Sequence, residues 1–175
     1  MKLSADSSLA FPRAQVFAAY RDRLLEMVEF LPNIRRIEQR SRDDDGPRTE
    51  IVNVWHGGGD IPAAARAFLS EDMLSWTDYA SWNEDEFCCH WRIETHSFTE
   101  AVSCRGKNQF VELDGSTRLE IRGEIRIDAT KIRAVPRILS KTVGKAVEDV
   151  LVKKITPNLI SVSDGLRRYL EQGEK

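Results

Sequence analysis

Leu119-Glu120-Ile121-Arg122-Gly123-Glu124-Ile125-Arg126-Ile127 alternates along its whole length between apolar residues or glycine and charged residues. A period of two is the period of a strand, and so clean a separation predicts one face in a core and the other in water. Just beyond, the period changes. Ile132, Val135, Leu139, Val143, Ala146 and Val150 recur at helical spacing, with Arg137, Lys141, Lys145 and Glu148 opposite. That pattern predicts a long amphipathic helix. Pro157 should kink or split it, because a proline inside a helix removes a hydrogen bond and clashes with the preceding turn. Leu159, Ile160, Leu166, Tyr169 and Leu170 carry the stripe onward. A sheet with one apolar face needs a cover, and this helix carries an apolar stripe large enough to supply it.

Working backwards, residues 117–129, 101–112, 86–97 and 73–82 read as successive strands. Val102, Cys104, Gly106, Asn108 and Phe110 oppose Ser103, Arg105, Lys107 and Gln109, while Phe87, Cys89, Trp91 and Ile93 oppose Cys88, His90, Arg92 and Glu94. Asp114-Gly115 is a hairpin turn signal between two such runs. In the strand from Arg48 to Trp55, Arg48 and Glu50 pull the even side outward, which sends Ile51, Asn53 and Trp55 inward. A strand also begins at Ile34, with Asp43-Asp44-Asp45-Gly46-Pro47 as the turn after it. Leu3, Ala5, Ser7 and Leu9 alternate with polar residues as a first strand. Pro12 suits the first turn of a helix, and two short helices are expected across 12–31, bent near Asp22-Arg23. Residues 61–69, Ala-rich behind Pro62, read as a further short helix joined through Gly57-Gly58-Gly59. They are expected to cover a cavity mouth.

The order is strand, two short helices, about six antiparallel strands and one long helix. With it, Ala10-Phe11-Pro12-Arg13-Ala14-Gln15-Val16-Phe17, Tyr20, Asp22, Leu31-Pro32-Asn33-Ile34, Trp91-Arg92-Ile93, Gly115-Ser116-Thr117-Arg118-Leu119 and Leu166-Arg167-Arg168-Tyr169-Leu170-Glu171 resemble the START and Bet v 1-like (SRPBCC, polyketide cyclase-like) superfamily. The resemblance covers nearly the whole chain. It implies a single α+β domain over residues 1–175 with the helix-grip architecture. In that architecture a curved antiparallel sheet of about seven strands wraps around a long C-terminal helix, with two short helices after the first strand. It also implies a cavity between sheet and helix that binds lipids, sterols, polyketides or similar molecules, and in some members cyclises or hydrolyses them.

Composition narrows the function. The 175 residues are 41% hydrophobic and 31% charged, a globular balance. The net charge of −2 does not suit a globally basic nucleic-acid binder, and no apolar run approaches the ~20 residues of a membrane span. Three cysteines without metal-ligand spacing point to a reducing, cytoplasmic setting. The charge is uneven: residues 131–175 sum to +5 and residues 1–130 to −7. Arg137, Lys141 and Lys145 lie on the polar side of the long helix, so peripheral docking to an anionic membrane is a second expectation beside a solubilising face.

No convergent catalytic set is visible. His90 and His96 share a parity, but six strand residues separate them by about 20 Å and both should face outward. His56, beside the three glycines, is the weak candidate general base. Cys88 and Cys89 point to opposite faces, and inward Cys89 and Cys104 behave as small hydrophobes. Gly106 and Gly123 on adjacent inward faces leave room for a bend or a ligand. The expected cavity wall is Trp91, Ile93, Phe110, Leu119, Ile121, Val135, Leu139 and Val143. The function expected is binding, including transport, of an apolar or amphipathic small molecule without a cofactor or metal. The alternative is an aromatase/cyclase-type enzyme in which His56 and Asn108 steer proton transfer.

Overall fold

The computed structural model describes residues 1–58, 74–97, 99–128, 131 and 161–173. Seven strands form one sheet: β1 (Lys2–Leu9), β2 (Ile34–Asp45), β3 (Arg48–Gly57), β4 (Ser75–Asn83), β5 (Cys88–Thr95), β6 (Val102–Leu113) and β7 (Ser116–Ile127). Their spatial order is β1-β7-β6-β5-β4-β3-β2, and every neighbouring pair is antiparallel. Strands β2 to β7 therefore follow chain order, and β1 joins at the β7 side. The expected α+β helix-grip sheet is present.

The turns follow their residues. Asp114 and Gly115 sit at φ 43° and 82°, the positive pair that a two-residue hairpin requires and that glycine adopts without steric cost. The acidic run behaves differently from the expectation. Asp43, Asp44 and Asp45 stay in β2, paired with Glu50, Thr49 and Arg48, and only Gly46-Pro47 turns. Asp44 accepts from the Thr49 hydroxyl and pairs with Arg42, which also reaches Asp22. Asp44 at the middle of the run is thus paired, and the ladder with β3 continues through all three residues.

Helix α1 (Arg13–Asp22) starts directly after Pro12, whose carbonyl accepts the first helical N–H, from Val16. It buries Val16, Phe17 and Ala19. Phe17 meets Trp82, Phe87 and Phe110 edge-on at 5.2–5.4 Å between ring centres. The second expected helix reduces to a single 3₁₀ turn, Val28–Phe30. Pro32 disfavours helical geometry at the residue before it, and Leu31 is indeed extended. Residues 161–173 form a helix, α2, that buries Ser163, Leu166 and Leu170. The Tyr169 hydroxyl donates to Glu26 at 2.7 Å, tying α2 to the segment after α1. The expected cover at 61–69 and the helix carrying Val135, Leu139, Val143, Arg137, Lys141 and Lys145 lie outside the described residues.

Register places the inner face in cross-strand rows. One runs Ile51, Ala80, Trp91, Gly106, Gly123, Leu3, and the next Thr49, Trp82, Cys89, Asn108, Ile121, Ala5. In the first row the two glycines leave no empty space. The Trp91 ring lies over them: a Cβ on Gly106 would collide with Trp91 Cζ2 and the Arg122 carbonyl, and one on Gly123 would sit 2.8 Å from Trp91 Cη2. The Trp91 indole N–H donates to Asn108 Oδ1 at 2.9 Å, fixing the ring in place. The room expected there for a ligand is thus filled by the protein. Gly106→Ala should lower stability by about 3 kcal/mol, since the backbone carbonyl blocks relief even if the indole moves. Urea unfolding of the variant beside the parent measures this.

Candidate functional site

The inner face has two unlike ends. At the α1 end, Phe110, Leu119 and Ile121 are at most 1% exposed and packed under Phe17. Of the sequence-expected wall, these three and Trp91 form a filled floor. Ile93 differs: it faces the same side but stays partly exposed. It belongs to the row Asn53, Asp78, Ile93, Cys104, Ile125, and beyond that lies the row Trp55, Trp76, Thr95. Trp76, Asp78, Ile93 and Thr95 all keep some solvent contact although they point inward. Among the described residues this is the more open end of the inner face.

Asp78 decides the chemistry there. It lies between Trp76 and Ala80 on its strand, and opposite Asn53 and Ile93 on the neighbouring strands. Burial pushes its carboxyl up from the ordinary 3.8 to about 7, and the nearby Trp55 indole N–H opposes that rise. The same N–H makes no hydrogen bond of full geometry, so its hold on the carboxylate is weak. Thr95 Oγ1 is likewise buried without a partner among the described residues. Trp55 and Trp76 stack at 5.8 Å with their planes 15° apart, forming an aromatic wall beside the carboxyl.

The other titratable groups nearby are acids held neutral. Burial raises the Tyr20 hydroxyl, the neighbouring acids Cys89 and Asp78 would raise it further if ionised, and the Asn108 amide opposes the rise. Burial first and Asp78 second raise the Cys89 thiol, and in the same way they push Cys104 up to about 12. These cysteines are free thiols, inert at neutral pH.

His56 sits elsewhere. It alternates with Trp55 on β3, so it occupies the opposite face, with Nε2 3.2 Å from Glu38 Oε1 and 3.3 Å from an Arg36 nitrogen. Its partner in the enzyme alternative, Asn108, points inward and has its carbonyl occupied by Trp91. The structure does not bring these two together. His90 and His96 are exposed, and His96 lies between the Ser75 and Thr77 hydroxyls. No group of metal-ligating side chains occurs among the described residues, and no helix among them is long and apolar enough to cross a membrane.

Sequence reasoning passed over Asp78, and it turned Asn53 inward without giving it a role in the site. The signal was present in 73–82, where Trp76, Ala80 and Trp82 share a parity and Asp78 stands among them.

A carboxyl raised by burial makes folding less favourable as it ionises. Below about pH 4 both the folded and the unfolded chain hold the proton, and the shift has no effect. Between pH 4 and 7 the unfolded chain loses its proton first, so stability falls as pH rises, and the full cost stands above 7. At about 1.4 kcal/mol per unit, the displacement sets an upper bound near 4 kcal/mol. Asp78→Asn should therefore be more stable than the parent at pH 8, with the gap narrowing steadily towards pH 4. Denaturant titrations across that range measure the gap.

No protein-family profile matches the chain, and no curated protein matches it. Solved structures do. TTHA0849 from Thermus thermophilus superimposes with a TM-score of 0.72 at 14% identity, covering 100% of both chains. The Zhui aromatase/cyclase from a Streptomyces species gives 0.69 at 14% identity, covering 100% of this chain and 96% of its own. Norcoclaurine synthase from Thalictrum flavum, in complex with dopamine and hydroxybenzaldehyde, gives 0.65 at 12% identity, covering 98% and 87%. At these identities the likeness concerns architecture, and it agrees with the sheet order and helix placement above: the chain has the Bet v 1-like, or SRPBCC, helix-grip fold.

Proposed function

We propose that this chain, acting as a single domain, binds an apolar or amphipathic small molecule at the open end of its inner face. The observation that carries this reading is the set Trp76, Asp78, Ile93 and Thr95, which points inward yet keeps solvent contact. Side chains turned to the covered side of a sheet ordinarily pack as tightly as Phe110 and Leu119 do here. The stacked Trp55 and Trp76 add flat apolar surface, which rewards a ring or chain laid against it. Apolar walls with a few polar groups are the usual make-up of a small-molecule site. The fold is shared with an aromatase/cyclase and a synthase crystallised with small aromatic compounds, which supports a ligand of that size. Binding is preferred over the cyclase alternative because His56 faces away from this end and is engaged with Glu38.

Titration with a neutral solvatochromic dye such as Nile red should show saturable binding and quench tryptophan fluorescence. Trp76→Ala should weaken it about tenfold, or ~1.4 kcal/mol. Tyr79→Ala, on the opposite face of the same strand, should change it little. Equal loss from both variants, or no saturation in the parent, would overturn the reading.

A further inference from the structure

Asp78 is an acid set among tryptophans, and its surroundings leave it half-served. An ionised carboxylate offers about four acceptor positions. The neighbouring donor is the Trp55 indole N–H, and it reaches no proper hydrogen bond. No cation answers the carboxylate among the described residues. Asn53 is its partner on β3, with Trp55 beside it, and Ile93 its partner on β5; Cys89, Cys104 and Tyr20 lie within reach of its charge. The titratable groups in that circle, Tyr20, Cys89 and Cys104, are all acids that remain uncharged. The arginines of β5 to β7 alternate with the inward residues and pair instead with carboxylates of the outer face, as Arg92 does with Glu94 and Arg105 with Glu124.

Among the described residues the carboxylate has no cationic partner, and a buried charge without one is strongly disfavoured. A ligand that brings a positive charge offsets that cost. The stacked Trp55 and Trp76 rings are suited to the same task, since an ammonium group is attracted to an indole face as well as to a carboxylate. A ligand carboxylate would instead place two like charges together.

We infer that the open end of the inner face recognises amphipathic amines, with the ligand's basic nitrogen held at Asp78 and its apolar body against Trp55, Trp76 and Ile93. This rests on the small-molecule binding reading and deepens it by naming the ligand class. Because the Asp78 carboxyl in the empty protein holds its proton up to about pH 7, taking up an ammonium ion below that pH must expel one proton. Amine affinity should then rise about tenfold per pH unit between 5 and 7 and level off above.

The test compares naphthylethylamine, naphthylethanol and naphthylacetate by calorimetry from pH 5 to 8. The amine should bind at least tenfold more tightly than the alcohol at pH 8. It should lose that margin towards pH 5, while the alcohol stays level and the acid binds most weakly. In Asp78→Asn the amine should fall to the level of the alcohol, and its pH dependence should vanish. Circular dichroism and a denaturant midpoint confirm that the variant is folded. Amine and alcohol of equal affinity in the parent, or an amine preference that survives in Asp78→Asn, would overturn this inference and leave the binding reading in place. Failure of all three probes to saturate would remove both.

Discussion

The Trp91 indole lying over Gly106 and Gly123 is the contact on which the rest of the sheet depends. It joins β5 to β6 and β7 through the interior rather than through the backbone ladder alone, and the bond to Asn108 sets its orientation. Two adjacent strands surrender their side chains at one row so that a large ring can cover both. Every other inner row is then free to take its own size. The α1 end fills with Phe17, Trp82 and Phe110, while Trp76, Asp78, Ile93 and Thr95 at the far end stay half-buried. A close-packed interior transmits such choices over short range, because neighbouring side chains have no slack to absorb them.

The outer face works by different physics. Arg105 with Glu124, Arg118 with Glu120 and Arg122 with Asp6 form exposed ion pairs, two of them across strands. Each such pair is worth about 0–1 kcal/mol in water. Their value is in register: a slip by one residue would turn these charges inward. The edge strand β2 shows the same logic. Arg35, Arg36, Glu38, Arg40 and Arg42 leave it little apolar surface, and its pairing with β3 is shifted at two places. Charges and irregular pairing at a sheet edge discourage a second chain from adding to it.

Asp78 stands apart from both regimes. Burial opposes its ionised form, so above about pH 7 its charge costs the folded chain stability. Local destabilisation retained inside an otherwise well-packed sheet is a mark of a functional position. The cost is tolerable because the core around the other described residues is tightly packed: Val16, Leu119, Thr117 and Leu166 are 0% exposed. Even the buried Thr117 is satisfied, its hydroxyl donating to the Phe11 carbonyl at 2.7 Å.

Period and turn chemistry are local properties, so the sequence by itself determined the strands, their inward parity on β3, β5, β6 and β7, the Asp114-Gly115 hairpin and the start of α1 at Pro12. It also carried the resemblance that named the helix-grip fold. Two local readings failed because a near neighbour in the chain outweighed the expected pattern. Arg42 and Thr49 kept the acidic run in β2, and Pro32 reduced the second helix to one 3₁₀ turn. The site itself was decided by the tertiary structure. Alternation told that Trp91 and the two glycines faced inward, but only register showed that the ring fills the space the glycines leave. In sequence Asp78 shows only as an acid in the parity of Trp76, Ala80 and Trp82. Its meaning comes from β3 on one side and β5 on the other, because the free energy of a charge is set by what surrounds it in space and not by its neighbours along the chain.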